Sequence, residues 1–177
     1  VKNMTIVPVS NWLANELKHS FLNKYPIKVI HNGINLDIFC PQEIHKKKIG
    51  LDDKFVILGV ASNWEKRKGL NDFIHLRTLL PSEYIIILIG LSERQIKKMP
   101  KGIIGIRRTN NVQELAKYYS VSDVYINFSV EETFGMTTCE SLACGTPVIV
   151  YDKTACPELV NSSCGKVVEA GNIELLF

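Results

Sequence analysis

The chain has 177 residues, of which 46% are hydrophobic, and its 21 lysines and arginines against 18 acids leave a formal net charge of +3. This length suffices for one compact domain with a sizeable core, and the apolar content is ordinary for a soluble globular protein. No apolar run reaches the length of a membrane-spanning helix, and the scattered cations give no indication of nucleic-acid binding.

The predicted elements alternate between strands and helices along the chain. In chain order they are a strand at 5–9, a helix capped by Ser10, a strand at 27–31, a strand at 55–61, a helix at 69–80, a strand at 84–90, a short helix with a capping box of Ser92 and Gln95, a strand at 103–108, a helix at 112–120, a strand at 123–128, a helix beginning near Gly135, a strand at 147–152 and a strand at 166–170. Strands that alternate with helices predict an α/β fold: a Rossmann-like, doubly wound parallel sheet with helices on both faces.

Sheets of this kind bind ligands in the crevice beyond the carboxyl ends of their strands. The loops to inspect are therefore the one after 61, the turn at Gly90, the segment 107–111 and the loop 129–135. The glycine fingerprint of dinucleotide enzymes, the P-loop and the nucleophile elbow are absent from the sequence.

Two acids flank the predicted helix start at Gly135, with seven residues between them: Glu132 in the loop and Glu140 in the helix. A helix N-terminus attracts phosphate or sugar oxygens, and the side chain of Glu140 should lean back toward it. A carboxylate can accept two hydrogen bonds at once, which suits the vicinal hydroxyls of a ribose or a hexose. The alternative is that Glu132 is a surface acid and Glu140 a solvated helix residue.

Cations crowd another predicted helix start, where Arg67 and Lys68 precede Gly69. The helix dipole disfavours positive charge at this end, so an anion such as a diphosphate would explain it. The alternative is a solvated basic helix start. Nearby, Trp64 is expected to cover apolar surface rather than to bind a ligand.

Five cysteines show no spacing typical of a metal site, and the opening residues VKNMTIVPVS lack the regions of a secretory signal. We therefore expect a reduced, cytoplasmic protein. The run HKKK at 45–48 leaves two readings open, a solvated turn and contact with an acidic membrane surface.

Three segments together resemble a known family. They are Glu132-TFGMTTC-Glu140 followed by CGTPVIV, KVIHNGINLDIFCP at 28–41, and RKGL at 67–70. With them the chain, from about residue 10 to residue 171, resembles the C-terminal, donor-binding domain of a retaining GT-B glycosyltransferase of family 4.

This resemblance implies roles for particular residues. It places Glu132 on the donor hexose and Lys68 on the diphosphate, which makes these two the catalytic candidates, and it places Glu140 on the ribose hydroxyls. The backbone of Phe134, Gly135, Met136 and Thr137 would hold sugar and phosphate oxygens, and Arg107, Thr109 and Val112 would border the base. At Ser62 the family often has an arginine; its phosphate contact passes to Arg67 or is lost.

The resemblance also implies an organisation and an activity. Residues 1–10 would be a hinge strand from a missing N-terminal acceptor domain, and residues 11–177 a donor-binding domain truncated at its C-terminus. The enzyme would transfer a hexose from a UDP- or GDP-sugar to an acceptor hydroxyl with retention, without metal or cofactor, in polysaccharide, lipopolysaccharide or glycolipid synthesis. It would work in the cytoplasm, with the inner face of the membrane as a second location. A nucleotide-sugar epimerase of the same fold and a non-enzymatic nucleotide-sugar-binding module are the alternatives.

Overall fold

The computed structural model describes residues 3–176, except for the side chains of residues 48, 49, 175 and 176. Within that range the strands are β1 (Phe55–Val60), β2 (Tyr84–Ile89), β3 (Ile103–Ile106), β4 (Val124–Asn127), β5 (Val148–Tyr151) and β6 (Gly165–Val168). The α-helices are α1 (Asn11–Lys18), α2 (Leu70–Leu79), α3 (Glu93–Ile96), α4 (Val112–Val121) and α5 (Met136–Ala143), and 3₁₀ helices span Lys46–Ile49, Lys66–Lys68, Cys156–Leu159 and Ile173–Leu176. The predicted hinge strand at 1–10 and the predicted domain end at 177 fall partly outside the described residues.

The six strands form one sheet in the order β3-β2-β1-β4-β5-β6, and every neighbouring pair is parallel. This arrangement confirms the predicted doubly wound α/β fold. The chain winds outward from β1 through β2 to β3 and then crosses back to β4 on the other side of β1. The loops after β1 and β4 consequently leave the sheet in opposite directions and open a crevice between them.

Apolar side chains cover the sheet on both faces. On one face Phe73 and Leu76 of α2 pack in a cluster with Ile126 of β4. On the other face Tyr119 of α4 packs in a cluster with Val148 of β5. Burial on both faces explains why the strands are almost continuously apolar rather than alternating.

The predicted strands at 5–9 and 27–31 are wrong. The structure has a single parallel bridge between Ile6 and Ile27 in their place, apart from the main sheet. The first stretch contains Pro8 and the second follows Pro26, and a proline has no N–H group to donate to a ladder. Three backbone hydrogen bonds still hold the segments side by side. They run from the Ile6 N–H to the Pro26 carbonyl at 2.9 Å, from the Lys28 N–H to the Ile6 carbonyl at 3.0 Å and from the Ile30 N–H to the Pro8 carbonyl at 3.1 Å.

Local signals set several element ends as expected. The Ser10 side chain accepts from the Leu13 N–H, and Ser92 and Gln95 form the predicted capping box at α3. Two strands end two residues early: β3 stops at Ile106 rather than 108, and β6 runs from Gly165 to Val168 rather than from 166 to 170. The other four strands of the sheet differ from their predicted bounds by one residue at one or both ends.

The described residues contain no helix that is both long and apolar enough to cross a membrane. The five cysteines are free thiols, and burial raises the pKa of Cys139 and of Cys144 to about 11. Both thiols are therefore neutral at physiological pH.

Candidate functional site

The carboxyl ends of β1 and β4 bring Lys68 and Glu132 into contact. The Lys68 Nζ donates to Glu132 Oε1, and the two side chains are only 16% and 18% exposed. Their loops are also joined by backbone, because the Val130 N–H donates to the Arg67 carbonyl at 3.0 Å. A cation and a carboxylate therefore meet, largely shielded from solvent, at the point where the strand order reverses.

Trp64 anchors the loop that carries Lys68 to the core of the domain. This indole is 5% exposed, and its Nε1 donates to the Ile89 carbonyl at 2.9 Å. Gly90, at φ 101°, lies so close that a Cβ atom there would be 1.7 Å from the Ala61 carbonyl oxygen. The loops after β1 and β2 thus touch through backbone, and Trp64 is a buried anchor, as the sequence indicated, rather than a surface for ligand.

The loop that carries Glu132 is held by the loop after β5. The Glu132 N–H donates to the Thr154 hydroxyl at 2.9 Å, and the Ala155 N–H donates to the Glu132 carbonyl at 3.2 Å. Thr154 has a φ of 52°, which is unusual for a β-branched residue. The sequence gives no signal for this contact, since nothing in the order of residues predicts a left-handed threonine.

Helix α5 begins beside this pair at Gly135, which has a φ of 98°. No side chain of the described residues caps the helix. The Thr138 N–H donates to the Gly135 carbonyl at 3.0 Å, so the N–H groups of Met136 and Thr137 are the ones open to an anion. Phe134 is buried, with its ring 5.7 Å from that of His31, while Met136 is 39% exposed. The Thr137 hydroxyl accepts a hydrogen bond from the buried Tyr125 at 2.7 Å.

Glu140 lies one turn into α5 and is partly buried rather than solvated. Its Oε2 accepts a hydrogen bond from the Tyr119 hydroxyl at 2.9 Å. Burial raises the pKa of the Glu140 carboxyl above its usual value, and the bond from Tyr119 opposes that rise. The sequence predicted Glu140 as a site residue but missed Tyr119, which its helical spacing marks only as a core residue.

The remaining predicted residues lie further out. Arg67 pairs with Glu65, at 3.2 Å from Nε to Oε2, and is 44% exposed, while Ser62 is exposed. Arg107 pairs with Glu93 on the surface at 3.0 Å. A cavity of about 580 Å³ beyond β3 is lined by the segment 107–112, which includes Thr109 and Val112. The structure thus records a surface ion pair for Arg67 and an open recess where the base was expected.

A larger recess, of about 830 Å³, lies between residues 42–44 and helix α4. Its lining contains neither Lys68, Glu132 nor Glu140. Because charge and hydrogen-bonding groups converge at the crevice instead, we take the crevice as the candidate site. Within residues 3–176, no three His, Cys, Asp or Glu side chains are grouped so as to hold a metal ion.

The Rossmann-like sheet thus carries a lysine and a carboxylate at its switch point, next to a helix start that no described side chain caps. Residues 54–177 match the family model of group 1 glycosyl transferases, and the chain belongs to that family. The alpha-monoglucosyldiacylglycerol synthase of Acholeplasma laidlawii is 30% identical over 170 residues, which cover 85% of this chain and 42% of that protein. The chain therefore spans less than half the length of this relative.

Two solved structures share the fold. The structure of HepE from Anabaena in complex with UDP-glucose matches with a TM-score of 0.81 and 18% identity, over 97% of this chain and 51% of that chain. The C-terminal domain of a glycosyl transferase group 1 family protein from Francisella tularensis matches with a TM-score of 0.66 and 22% identity, over 81% of this chain and 84% of that domain. The prediction of a C-terminal GT-B domain is thereby confirmed.

Proposed function

We propose that the protein is the donor-binding part of a retaining glycosyltransferase that transfers a hexose from a UDP- or GDP-sugar to an acceptor hydroxyl. The observation that carries the proposal is the contact of Lys68 with Glu132 beside the open start of α5. A cation and free N–H groups suit a diphosphate, and a carboxylate suits sugar hydroxyls. The UDP-glucose held by the Anabaena neighbour supports a nucleotide sugar as the ligand.

The contact between Lys68 and Glu132 suggests how a donor would bind. Each group already satisfies the other, so the donor would replace one ion pair by two new contacts, from Lys68 to the diphosphate and from Glu132 to the hexose hydroxyls. The bond between the anomeric carbon and the phosphate oxygen then breaks, with its electron pair leaving on the diphosphate. Lys68 and the start of α5 would act most strongly as this charge develops.

The acceptor oxygen would form its bond to the anomeric carbon on the face from which the diphosphate departs, which retains the configuration. Its proton would pass to the departing phosphate oxygen, so no covalent intermediate with the protein is required. We further propose that a separate acceptor-binding part of the polypeptide completes the cleft, and that neither metal nor cofactor takes part.

The lipid-synthesising relative favours glycolipid synthesis, with polysaccharide and lipopolysaccharide synthesis as the other settings. The cytoplasm, including the inner face of the membrane, is the proposed location. We do not propose nucleic acid as a partner.

Titration calorimetry of the chain with UDP-glucose, UDP-galactose and GDP-mannose tests the site. We expect Lys68→Met to weaken binding of the preferred donor by about tenfold or more, because it removes a bond to a charged group. Lys46→Met is the matched control, since Lys46 also pairs with a partly buried acid, Asp123, at the opposite end of the sheet. Equal losses of affinity in both variants would reject the site.

Product analysis with the full-length enzyme distinguishes the proposed glycosyltransferase from the epimerase and from the binding module. Transfer to a hydroxyl acceptor with retained configuration supports the proposal. A changed sugar epimer would indicate the epimerase, and binding without any product would indicate the binding module.

A further inference from the structure

Tyr119 is a large aromatic residue that contacts the proposed site from inside the core. It lies in α4 with 0% exposure, and its ring packs edge-on against Tyr125 and Phe39 at centroid distances of 5.7 and 6.2 Å. From this fixed position its hydroxyl reaches Glu140 Oε2 at 2.9 Å. A rigid aromatic thus carries a hydrogen-bond donor to the carboxylate.

The contact between the Tyr119 hydroxyl and Glu140 is not what holds α5 against α4, because other hydrogen bonds link the two helices and one of them is accepted by the Tyr119 backbone carbonyl. The Thr146 hydroxyl donates to the Tyr119 backbone carbonyl at 2.6 Å, and the Ser141 hydroxyl donates to the Thr146 carbonyl at 3.1 Å. These bonds fix the C-terminal end of α5 through backbone groups. Removal of the Tyr119 hydroxyl would leave them in place and free only the Glu140 side chain.

The other carboxylate oxygen of Glu140 is open. Among the described residues Oε1 has no protein hydrogen-bond partner, and it is not sealed from solvent. A glutamate side chain has several rotatable bonds and loses freedom when a ligand fixes it. Since Tyr119 already holds one oxygen, the other is presented in a defined direction before any ligand arrives.

We propose that Tyr119 is a positioning residue that aims the Glu140 carboxylate at the ribose hydroxyls of the donor nucleotide. The inference rests on the proposed function, because it needs a ribonucleotide in the crevice. It adds a residue that does not touch the ligand and that sets the preference for ribose over deoxyribose.

The test compares ribonucleotides with their deoxy forms by titration calorimetry on the chain. The probes are UDP, GDP and the 2′-deoxy and 3′-deoxy forms of each. We expect Tyr119→Phe to lower the ratio of ribo to deoxy affinity by about threefold to tenfold, which corresponds to one hydrogen bond. Affinity for each deoxy form should fall by a smaller factor than affinity for the ribo form, because each deoxy form lacks one of the two hydroxyls that Glu140 would accept from.

Tyr151→Phe is the matched control. Tyr151 is equally buried, and its hydroxyl donates to a different carboxylate, Asp72 Oδ2, at 2.9 Å. This variant loses the same atom from the core and should keep the ribose preference. In a Glu140→Gln background, Tyr119→Phe should have a smaller effect on the ratio than in the wild type, because the two changes act on one contact.

Each other outcome overturns the inference. A Tyr119→Phe protein with an unchanged ratio, or with equal losses for ribo and deoxy forms, shows a role in packing alone. A wild-type chain that binds UDP or GDP without preferring the ribo form leaves the proposed function standing but removes Glu140 from the ribose. A wild-type chain that binds neither nucleotide overturns both.

If Tyr119→Phe does not fold, a second variant tests the same contact between Tyr119 and Glu140. Glu140→Asp shortens the side chain by one methylene and withdraws it from the Tyr119 hydroxyl without altering α4. We expect it to lower the ribose preference by about the same factor as Tyr119→Phe. A full ribose preference in this variant would show that the contact with Tyr119 does not direct the carboxylate.

Discussion

Lys68 and Glu132 neutralise each other, with both side chains largely shielded from water. A shielded charge that loses its partner costs more than the pair contributes when intact. The two residues are therefore coupled in stability, although the proposed function gives them different partners once a donor binds.

We expect Lys68→Met and Glu132→Gln each to lower the free energy of unfolding by about 1–3 kcal/mol, because each leaves an unpaired group behind. The double variant should lose less than the sum of the two, since neither charge then remains. Urea unfolding of the four proteins measures this coupling. Strictly additive losses would contradict a shielded ion pair.

Donor affinity should behave differently from stability in the same proteins. The double variant should bind UDP-glucose no better than Lys68→Met alone, because it regains stability without regaining the cation. Recovery of affinity together with stability would mean that Lys68 serves the fold rather than the ligand.

Glu140 should show a conflict between stability and binding. Burial raises the pKa of its carboxyl in the folded protein above that in the unfolded chain. A raised folded pKa gives stability that is present below the unfolded pKa and is lost as the pH rises through the folded pKa. The Glu140 carboxyl is therefore less favourable to stability at neutral pH than at acidic pH.

We expect Glu140→Gln to unfold at an equal or higher urea concentration than the wild type at pH 7, since the neutral amide can still accept from Tyr119. The advantage should disappear near pH 4, where the wild-type carboxyl is largely protonated, while nucleotide affinity at pH 7 should fall about tenfold or more. Glu93→Gln, an exposed substitution, is the control. Greater destabilisation at pH 7 than at pH 4 would contradict the sign of the shift.

The start of helix α5 depends on the backbone conformation of its N-cap residue, Gly135. Gly135 has a φ of 98°, and a Cβ atom there would lie 3.2 Å from Leu159 Cδ1. Alanine disfavours this conformation, whereas the neighbouring leucine tip can move by a few tenths of an ångström.

Gly135→Ala should cost about 1–2 kcal/mol of stability and also weaken donor binding, because the first N–H groups of α5 would shift. Gly171→Ala serves as the control: its φ is 85°, but nothing lies within 4 Å of the added Cβ. It should have a similar stability cost with unchanged binding. Thermal unfolding and calorimetry of both variants measure the two effects, and equal binding in both would remove α5 from the site.

Elements with local signals could be predicted from the sequence. The apolar runs of β1 and β2 and the caps at Ser10 and Ser92 depend on residues close together in the chain. The strands at 5–9 and 27–31 failed because neighbouring prolines limit pairing that the apolar pattern favours.

The site was predictable only in part, because some of its contacts join residues that are far apart in the chain. That Lys68 and Glu132 lie at the same end of the sheet follows from the alternation of strands and helices together with the rule for parallel sheets. That their loops are neighbours depends on the order of the strands, which places β4 next to β1. The contact of Tyr119 with Glu140 depends on how α4 packs beside α5, and the brace from Thr154 depends on a left-handed backbone. The spacing of residues in the sequence predicts neither the packing of α4 beside α5 nor the left-handed conformation of Thr154.

Across the molecule, the proposed reaction relies on fixed positive groups rather than on a metal ion. We expect donor affinity of the chain, and hexose transfer by the full-length enzyme, to change less than about twofold in EDTA. Calorimetry and a transfer assay, each with EDTA and then with added Mg²⁺ or Mn²⁺, measure this. Loss on chelation with recovery on adding metal would contradict it.

The parallel order of the sheet separates the two ends of the domain. Every loop of the candidate site follows a strand, while the turns that lead into β1, β2, β3 and β5 lie at the opposite edge. Those turns are suitable sites for inserting an affinity tag. A short tag inserted between Ser82 and Glu83, ahead of β2, would tether the protein to a sensor surface with its crevice facing the solution. The same separation means that a change at the end where the strands begin lies a full strand length from the loops of the crevice.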